Sequence, residues 1–309
     1  MSFLPADPTL AVAVKNKLSK LARKRLERFV TLYTKALVSD VPEVIHDLRV
    51  ASRRLQQVLR LLAPKTKSSA KLVRVLRRVR RALGACRNLD VGIHLIQTKL
   101  ETATSASLRR SWDAVRLWLE QKRATDVEHA RAELKRHDLI DFIARVQARI
   151  ANIDEEPEGV QRLWERSVDA LTGWRDALAS AKEKPQIERI HALRIAGKRL
   201  RYRLESLAAL GDTSVKKFVE SLKALQDDLG DWHDRSVLRL FVAEFIGRPG
   251  FLAEQPGMCR ALLLDMEREK QRDQAAINDV IARAEEIAEQ NATALGVDEP
   301  SGEETTKDQ

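Results

Sequence analysis

Cysteine, aromatic residues, glycine and proline are all scarce in this 309-residue chain. Cys86 and Cys259 are its only cysteines and no CxxC occurs, which excludes a disulfide framework and a zinc ribbon. Phe, Trp and Tyr together make up 5% of residues, too few for the stacking platforms on which single-stranded nucleic acids are held. No apolar run approaches the ~18 residues of a membrane-crossing helix. The opening MSFLPADPTLAVAVKNK lacks the charged-then-apolar layout of a signal peptide. A cytoplasmic setting without a membrane partner is the expectation. No stretch alternates convincingly with period two. No phosphate-cradling glycine loop, nucleophile elbow or metalloprotease helix is present either.

Ala, Leu, Arg, Glu and Val dominate what is there, and these are helix formers. The expectation is an all-α protein. A first helix runs from Asp7-Pro8 to about Val38, and Asp40 to Glu43 reads as a capping box for a second that carries His46. A third covers about Lys67 to Leu83, with Gly84 in a left-handed cap. Asn88, Ser105 and Asp138 open three more, ending near Glu101, His137 and Ala151. Asn152 to Gly159 is acidic and reads as a link between halves. Beyond it, helices cover Gln161 to Lys182, the stretch opened by Pro185 and broken at Gly211-Asp212, and a segment stopped at Gly230. Then come Asp234 to Ile246, a loop over Pro249 to Gly257, and a long helix to about Ala294. Residues 296–309 are polar and acidic, the composition of a disordered tail.

The formal charge is +10, with a pI near 9.7, so a polyanionic partner is the first expectation. Its location follows from an internal repeat. In VIHDLRVASRRLQQVLRLL (44–62), the ~100° helical turn per residue gathers His46, Arg49, Arg53 and Arg60 in one sector. Leu48, Ala51, Leu55, Val58, Leu59 and Leu62 lie opposite. The pattern returns 145 residues later in IHALRIAGKRLRYRLESL (190–207), with His191, Arg194 and Lys198 against Leu193, Ala196, Leu200, Leu204 and Leu207. LGACRNLDV (83–91) is likewise answered by LGDWHDRSV (229–237), at an offset of 146. A duplicated helical bundle explains both pairs.

Between Val44 and Arg87 stand thirteen Arg or Lys and a single acid, Asp47. Lys71, Arg74, Arg78 and Arg81, spaced 3, 4 and 3, form another cationic stripe. Like charges at such spacing repel, and a solvated face would interleave Glu to neutralise them. A bound polyanion accounts better for the missing Glu. Arginine suits phosphate, because its planar fork holds two oxygens at once. With Tyr202 the one aromatic on these helices, phosphate without bases fits better than RNA or DNA. His46 and His191, at matching positions, read as donors to phosphate or as props for a neighbouring Arg. Metal binding needs carboxylate or His partners close in space, and adjacent residues of a helix such as His46 and Asp47 point apart. His94, His129 and His137 read as surface or packing residues. Trp112, Trp118, Trp164 and Trp174 read as core, and Trp232 as packing between halves.

Taken together, IHDLRVASRRL, LGACRNLDV, IHALRIAGKRL and LGDWHDRSV resemble the CHAD family (conserved histidine α-helical domain) over about residues 5–293. The resemblance implies two pseudo-two-fold-related four-helix bundles with a basic channel between them. The halves would cover about 5–151 and 160–293. It further implies a protein that binds inorganic polyphosphate, at polyphosphate granules in the cytoplasm, without a cofactor or a catalytic site. Family positions fall on His46, Arg49, Arg53, Arg54 and Arg77, and on His191, Arg194, Lys198, Arg199 and Lys223. The stripes add Arg60, Arg74, Arg78, Arg81 and Arg201 to the expected polyphosphate-binding set. Glu220 and Asp227 replace Arg74 and Arg81 in the second copy, which makes it the less basic of the two. Many relatives are fused to a CYTH triphosphatase. Its Glu-x-Glu-x-Lys signature is missing here, so the expectation is a stand-alone binding module, with a polyphosphate-metabolising enzyme of that kind as a candidate partner. Nucleic acid is expected as a weaker competitor. Three alternatives stay open: a metal-dependent phosphohydrolase using His46, His191 and nearby Asp, a generic nucleic-acid binder, and a helical bundle passing phosphate through an exposed His46.

Overall fold

A computed structural model describes residues 8–62, 67–152, 159–291 and 295. Every regular element among them is helical: α1 (Pro8–Ala36), α2 (Pro42–Leu59), α3 (Lys67–Ala82), α4 (Gly84–Thr102), α5 (Ala106–Lys135), α6 (Leu139–Ala151), α7 (Gly159–Glu183), α8 (Ile187–Leu210), α9 (Lys216–Ile246), the single turn α10 (Phe251–Glu254) and α11 (Pro256–Gln290). The all-α expectation holds.

Several boundaries follow the expected local chemistry. Ser105 caps α5 by accepting from the Leu108 amide at 3.1 Å, and Asp138 caps α6 by accepting from Asp141 at 2.9 Å. Gly211, at φ 114°, ends α8 in the left-handed conformation glycine tolerates. Others differ. Val41, not Asp40, is the N-cap of α2, and no side chain closes a capping box there, because Pro42 already presets the first turn. Only the first Leu-Gly pair marks a helix end, α3 stopping at Ala82, and its Gly84 is not a left-handed cap. Gly84 and Gly230 both keep negative φ, so α3 passes into α4 across Leu83 alone, and α9 runs unbroken through Gly230 and Asp234. Glycine in a helix costs only about 1 kcal/mol relative to alanine, which the packing of these long helices outweighs. Residues 251–254, expected as loop, form α10. The Asp7 cap, most of the acidic link and the tail lie outside the described residues.

Two compact units result, and both interleave along the chain. One takes residues 1–159 and 229–276, the other 160–228 and 277–309. In the first, α4, α5, the C-terminal part of α9 and the start of α11 enclose Leu89, Ile96, Trp112, Val115, Leu119, Leu238, Val242, Phe245, Leu262 and Met266. An acidic row on α11 at i, i+4 spacing ties these helices from outside. Asp265 and Glu269 take Lys99 of α4 at 3.1 and 3.0 Å, and Asp273 takes Arg235 and Arg239 of α9 at 2.6 and 2.5 Å. Helix α1 packs on α2 and on α6, meeting the latter through Phe29 on Phe142, with ring centroids 5.6 Å apart. In the second unit, Trp174 of α7 is fully buried and meets Phe218 of α9 edge-on at 6.1 Å. Trp112 and Trp232 are buried as well, while Trp118 and Trp164 are half-buried.

Candidate functional site

Helix α2 sorts its residues as its sequence pattern requires. Leu48, Ala51, Leu55, Val58 and Leu59 are all buried, and the cations lie on the other side. His46 and Arg54 are exposed, while Arg49, Arg53 and Arg60 are half-buried. Two polar residues, Ser52 and Gln56, are nonetheless buried with the apolar face. They are there to receive an arginine from the next helix. Arg80 of α3 donates through Nη1 to Ser52 Oγ at 3.4 Å and through Nη2 to Gln56 Oε1. In return, Arg49 of α2 donates to the Arg80 carbonyl at 2.6 Å. That carbonyl lies in the last turn of α3, where unsatisfied carbonyls and the helix dipole favour a cation.

Helix α3 thus presents an exposed face of cations and one inward arginine. The expected stripe of Lys71, Arg74, Arg78 and Arg81 lies on the exposed face. Arg77 is exposed as well, while Arg80 turns inward to α2, where it comes under the influence of Arg53, Arg49, Arg77 and Arg60. Burial first, then these four guanidiniums, push the Arg80 pKa down to about 10. An arginine shifted this far is one whose charge the fold resists. The single acid of the stretch, Asp47, is engaged from outside by Arg28 of α1 at 2.5 Å. Among the described residues, Arg53, Arg74, Arg77, Arg78, Arg81 and Arg87 make no ion pair at all.

His46 stands at the edge of this cluster. Partial burial, then Arg87, holds its imidazole below the usual pKa. Arg49 and Arg53 add to the depression, against the pull of Asp47. Arg87 is brought there by α4, whose next turn carries Asp90. That carboxylate is buried and paired with Arg123 of α5 at 2.5 Å. His137, beside Arg78, is also lowered, again by burial first. No three His, Cys, Asp or Glu side chains among the described residues gather closely enough to hold a metal ion.

In the second unit, His191 lies with Arg194 and Lys198 on α8, half-buried, and its pKa falls through burial and then those two cations. Arg199 and Lys223 are exposed. Arg201 is turned to Glu205 one helical turn on, at 3.3 Å, and lies 4.9 Å from the Tyr202 ring centre. The position matching Arg80 is Gln226, which donates to the Arg194 carbonyl at 3.3 Å. It packs so tightly on Gly197 that a Cβ there would overlap its Nε2 and come within 3.3 Å of Trp174 Nε1.

Periodicity alone did not single out Arg80, Arg87 or Gln226. The available signal was Ser52 and Gln56, two polar residues one turn apart on an otherwise apolar face. They mark a place where a polar group from another helix must enter.

The chain is thus an all-α scaffold that carries the same histidine-and-arginine helix pair twice, with one copy strongly cationic. Residues 20–243 match the family model of the CHAD domain, and the chain belongs to the CHAD family. Its fold is similar to the crystal structure of the CHAD domain from the plant Ricinus communis. That match has a TM-score of 0.64 at 20% identity and covers 87% of this chain and 91% of that one. No curated protein sequence matches it. Among the described residues, no helix is long and apolar enough to cross a membrane.

Proposed function

We propose that this protein binds inorganic polyphosphate through the α2–α3 surface, at polyphosphate granules, and that it does not turn the polymer over. The observation that carries the reading is the exposed arginines of α3 and the inward Arg80 crowded by those of α2, with Asp47 already paired to Arg28. Such a surface is held together against its own repulsion, and a ligand with many closely spaced oxyanions relieves it. Each arginine that neutralises a phosphate releases a condensed counterion, so affinity must fall steeply with salt. Polyphosphate supplies the charge with no bases to stack, in keeping with a surface built of guanidiniums and no aromatic side chains.

The test is titration with long-chain polyphosphate across a salt series, with RNA of matched charge as competitor. The expected result is tight binding, a steep negative dependence on salt, and RNA displaced by polyphosphate but not the reverse. Weak binding, or equal preference for RNA, would reduce the surface to a general polyanion patch. Release of inorganic phosphate during the titration, lost in His46→Ala, would replace the binding reading with a hydrolytic one.

A further inference from the structure

We propose that the two copies of the helix pair have parted in function: α2 and α3 hold the polyanion, and their counterparts on α8 and α9 serve to hold a bundle together. This rests on the reading above and assigns its ligand to one copy.

The repeat offsets allow a position-by-position comparison. Arg49, Arg53, Arg54 and Arg60 correspond to Arg194, Lys198, Arg199 and Glu205, while Arg74, Arg77, Arg78, Arg80 and Arg81 correspond to Glu220, Lys223, Ala224, Gln226 and Asp227. The first copy places nine arginines there. The second places four cations and three acids, a net charge of +1 against +9. Of the three reversals, Glu220 and Asp227 are exposed and Glu205 is not. Glu205, at the position of Arg60, takes up the neighbouring Arg201, and Asp228 pairs with Arg283 of α11 at 2.6 Å.

The inner position separates the copies most sharply. In the first, a charged Arg80 is kept between helices by Ser52 and Gln56, although burial and four surrounding arginines oppose its charge. A fold gains nothing from that arrangement by itself. In the second, Gln226 is neutral and buried, and its amide closes on the backbone of α8 at Arg194. Gly197 makes room for that amide where the first copy has Ser52, and the fully buried Trp174 lies beside it. The same site on the scaffold is thus a cation seat in one copy and an ordinary interhelical knot in the other.

Two double variants test this, with equal charge changes at matching positions: Arg53→Glu/Arg77→Glu in the first copy, Lys198→Glu/Lys223→Glu in the second. Each is assayed in the full chain by polyphosphate titration at fixed salt, with helicity checked by circular dichroism. Expected is a loss of roughly a hundredfold for the first pair, with the salt slope reduced by about two, and less than about threefold for the second. A third variant, Glu220→Arg/Asp227→Arg, restores two exposed first-copy residues to the second copy and should tighten binding. Equal losses from the two pairs, or a larger loss from the second, would overturn the division of labour and leave the polyphosphate reading standing. No loss from either pair would overturn the polyphosphate reading itself.

Discussion

Replacing Arg80 with glutamine, the residue its own repeat uses, should weaken ligand binding while sparing stability. The guanidinium of Arg80 titrates near 10 in the folded protein against an ordinary value of 12.5. The folded-state value is the lower one, so the charged form is penalised at every pH below about 10, and the penalty lapses only as pH rises through that value. At about 1.4 kcal/mol per unit, a shift of this size is on the order of 3 kcal/mol held against folding at neutral pH. That shift is already net of what the charge gains from Ser52 and Gln56, so what opposes it is the ordinary hydrogen bonding the neutral side chain would also make there, on the order of 2 kcal/mol for the pair. The two nearly cancel. Arg80→Gln should therefore shift the free energy of unfolding by less than about 1 kcal/mol, of either sign, in a urea titration without ligand. Binding should respond otherwise: a lost charge-assisted phosphate contact corresponds to roughly tenfold in affinity, with a salt slope smaller by about one. The stabilisation that saturating polyphosphate confers on the chain should shrink accordingly. A variant that loses 2 kcal/mol or more of stability yet binds polyphosphate normally would refute this reasoning and make Arg80 a structural tie.

Three further outcomes follow from particular contacts. Gly197→Ala places a methyl group against Gln226 and Trp174 and should cost about 1 to 3 kcal/mol in urea denaturation, as overpacking does; no loss would mean that Gln226 leaves its pocket freely. Arg123→Met strips the partner from the buried Asp90 carboxylate and should cost about 3 to 5 kcal/mol at neutral pH, recovering in part at acid pH where Asp90 is protonated. His46 has its pKa held down by partial burial, Arg87, Arg49 and Arg53, so in free protein it takes up a proton only below the ordinary histidine range, where the unfolded chain is already charged and stability falls. A bound polyanion offsets those arginines, raises the pKa and draws in a proton. Calorimetric titrations in buffers of different ionisation heat should report net proton uptake near pH 6, absent in His46→Gln.

The apolar stripes of α2 and α8 were legible because a single helical period decides them. Leu48, Leu55, Val58, Leu193, Leu200 and Leu204 are buried where the ~100° rule puts them. Caps at Ser105, Asp138 and Gly211 were legible because each depends on chemistry within four residues. The second Leu-Gly pair misled for the same reason. A glycine signals a stop only locally, and whether the helix continues is settled by what packs along both of its sides, as α9 does across Gly230. Arg80 escaped for a different reason. On α3 it belongs to no exposed stripe, and only its pairing with Ser52 and Gln56, 24 to 28 residues away, sets it apart from its neighbours.

Charge placement gives the clearest sense of how one scaffold serves two ends. Elsewhere in the first unit, cations meet acids: Lys99 with Asp265 and Glu269, Arg235 and Arg239 with Asp273, Arg123 with Asp90. Those pairs tie long helices together. The α2–α3 pair departs from that practice, and its arginines crowd together at a cost that the dry core around Trp112 and the layer at Phe29 must offset. On α8 and α9 the same helix geometry, with Glu205, Glu220, Gln226 and Asp227 substituted, carries no such burden. If α2 and α3 needed their arginines only to pack, the second copy shows that glutamine, glycine and a few acids suffice. What remains for the arginines, on the reading proposed above, is a partner that brings its own negative charge.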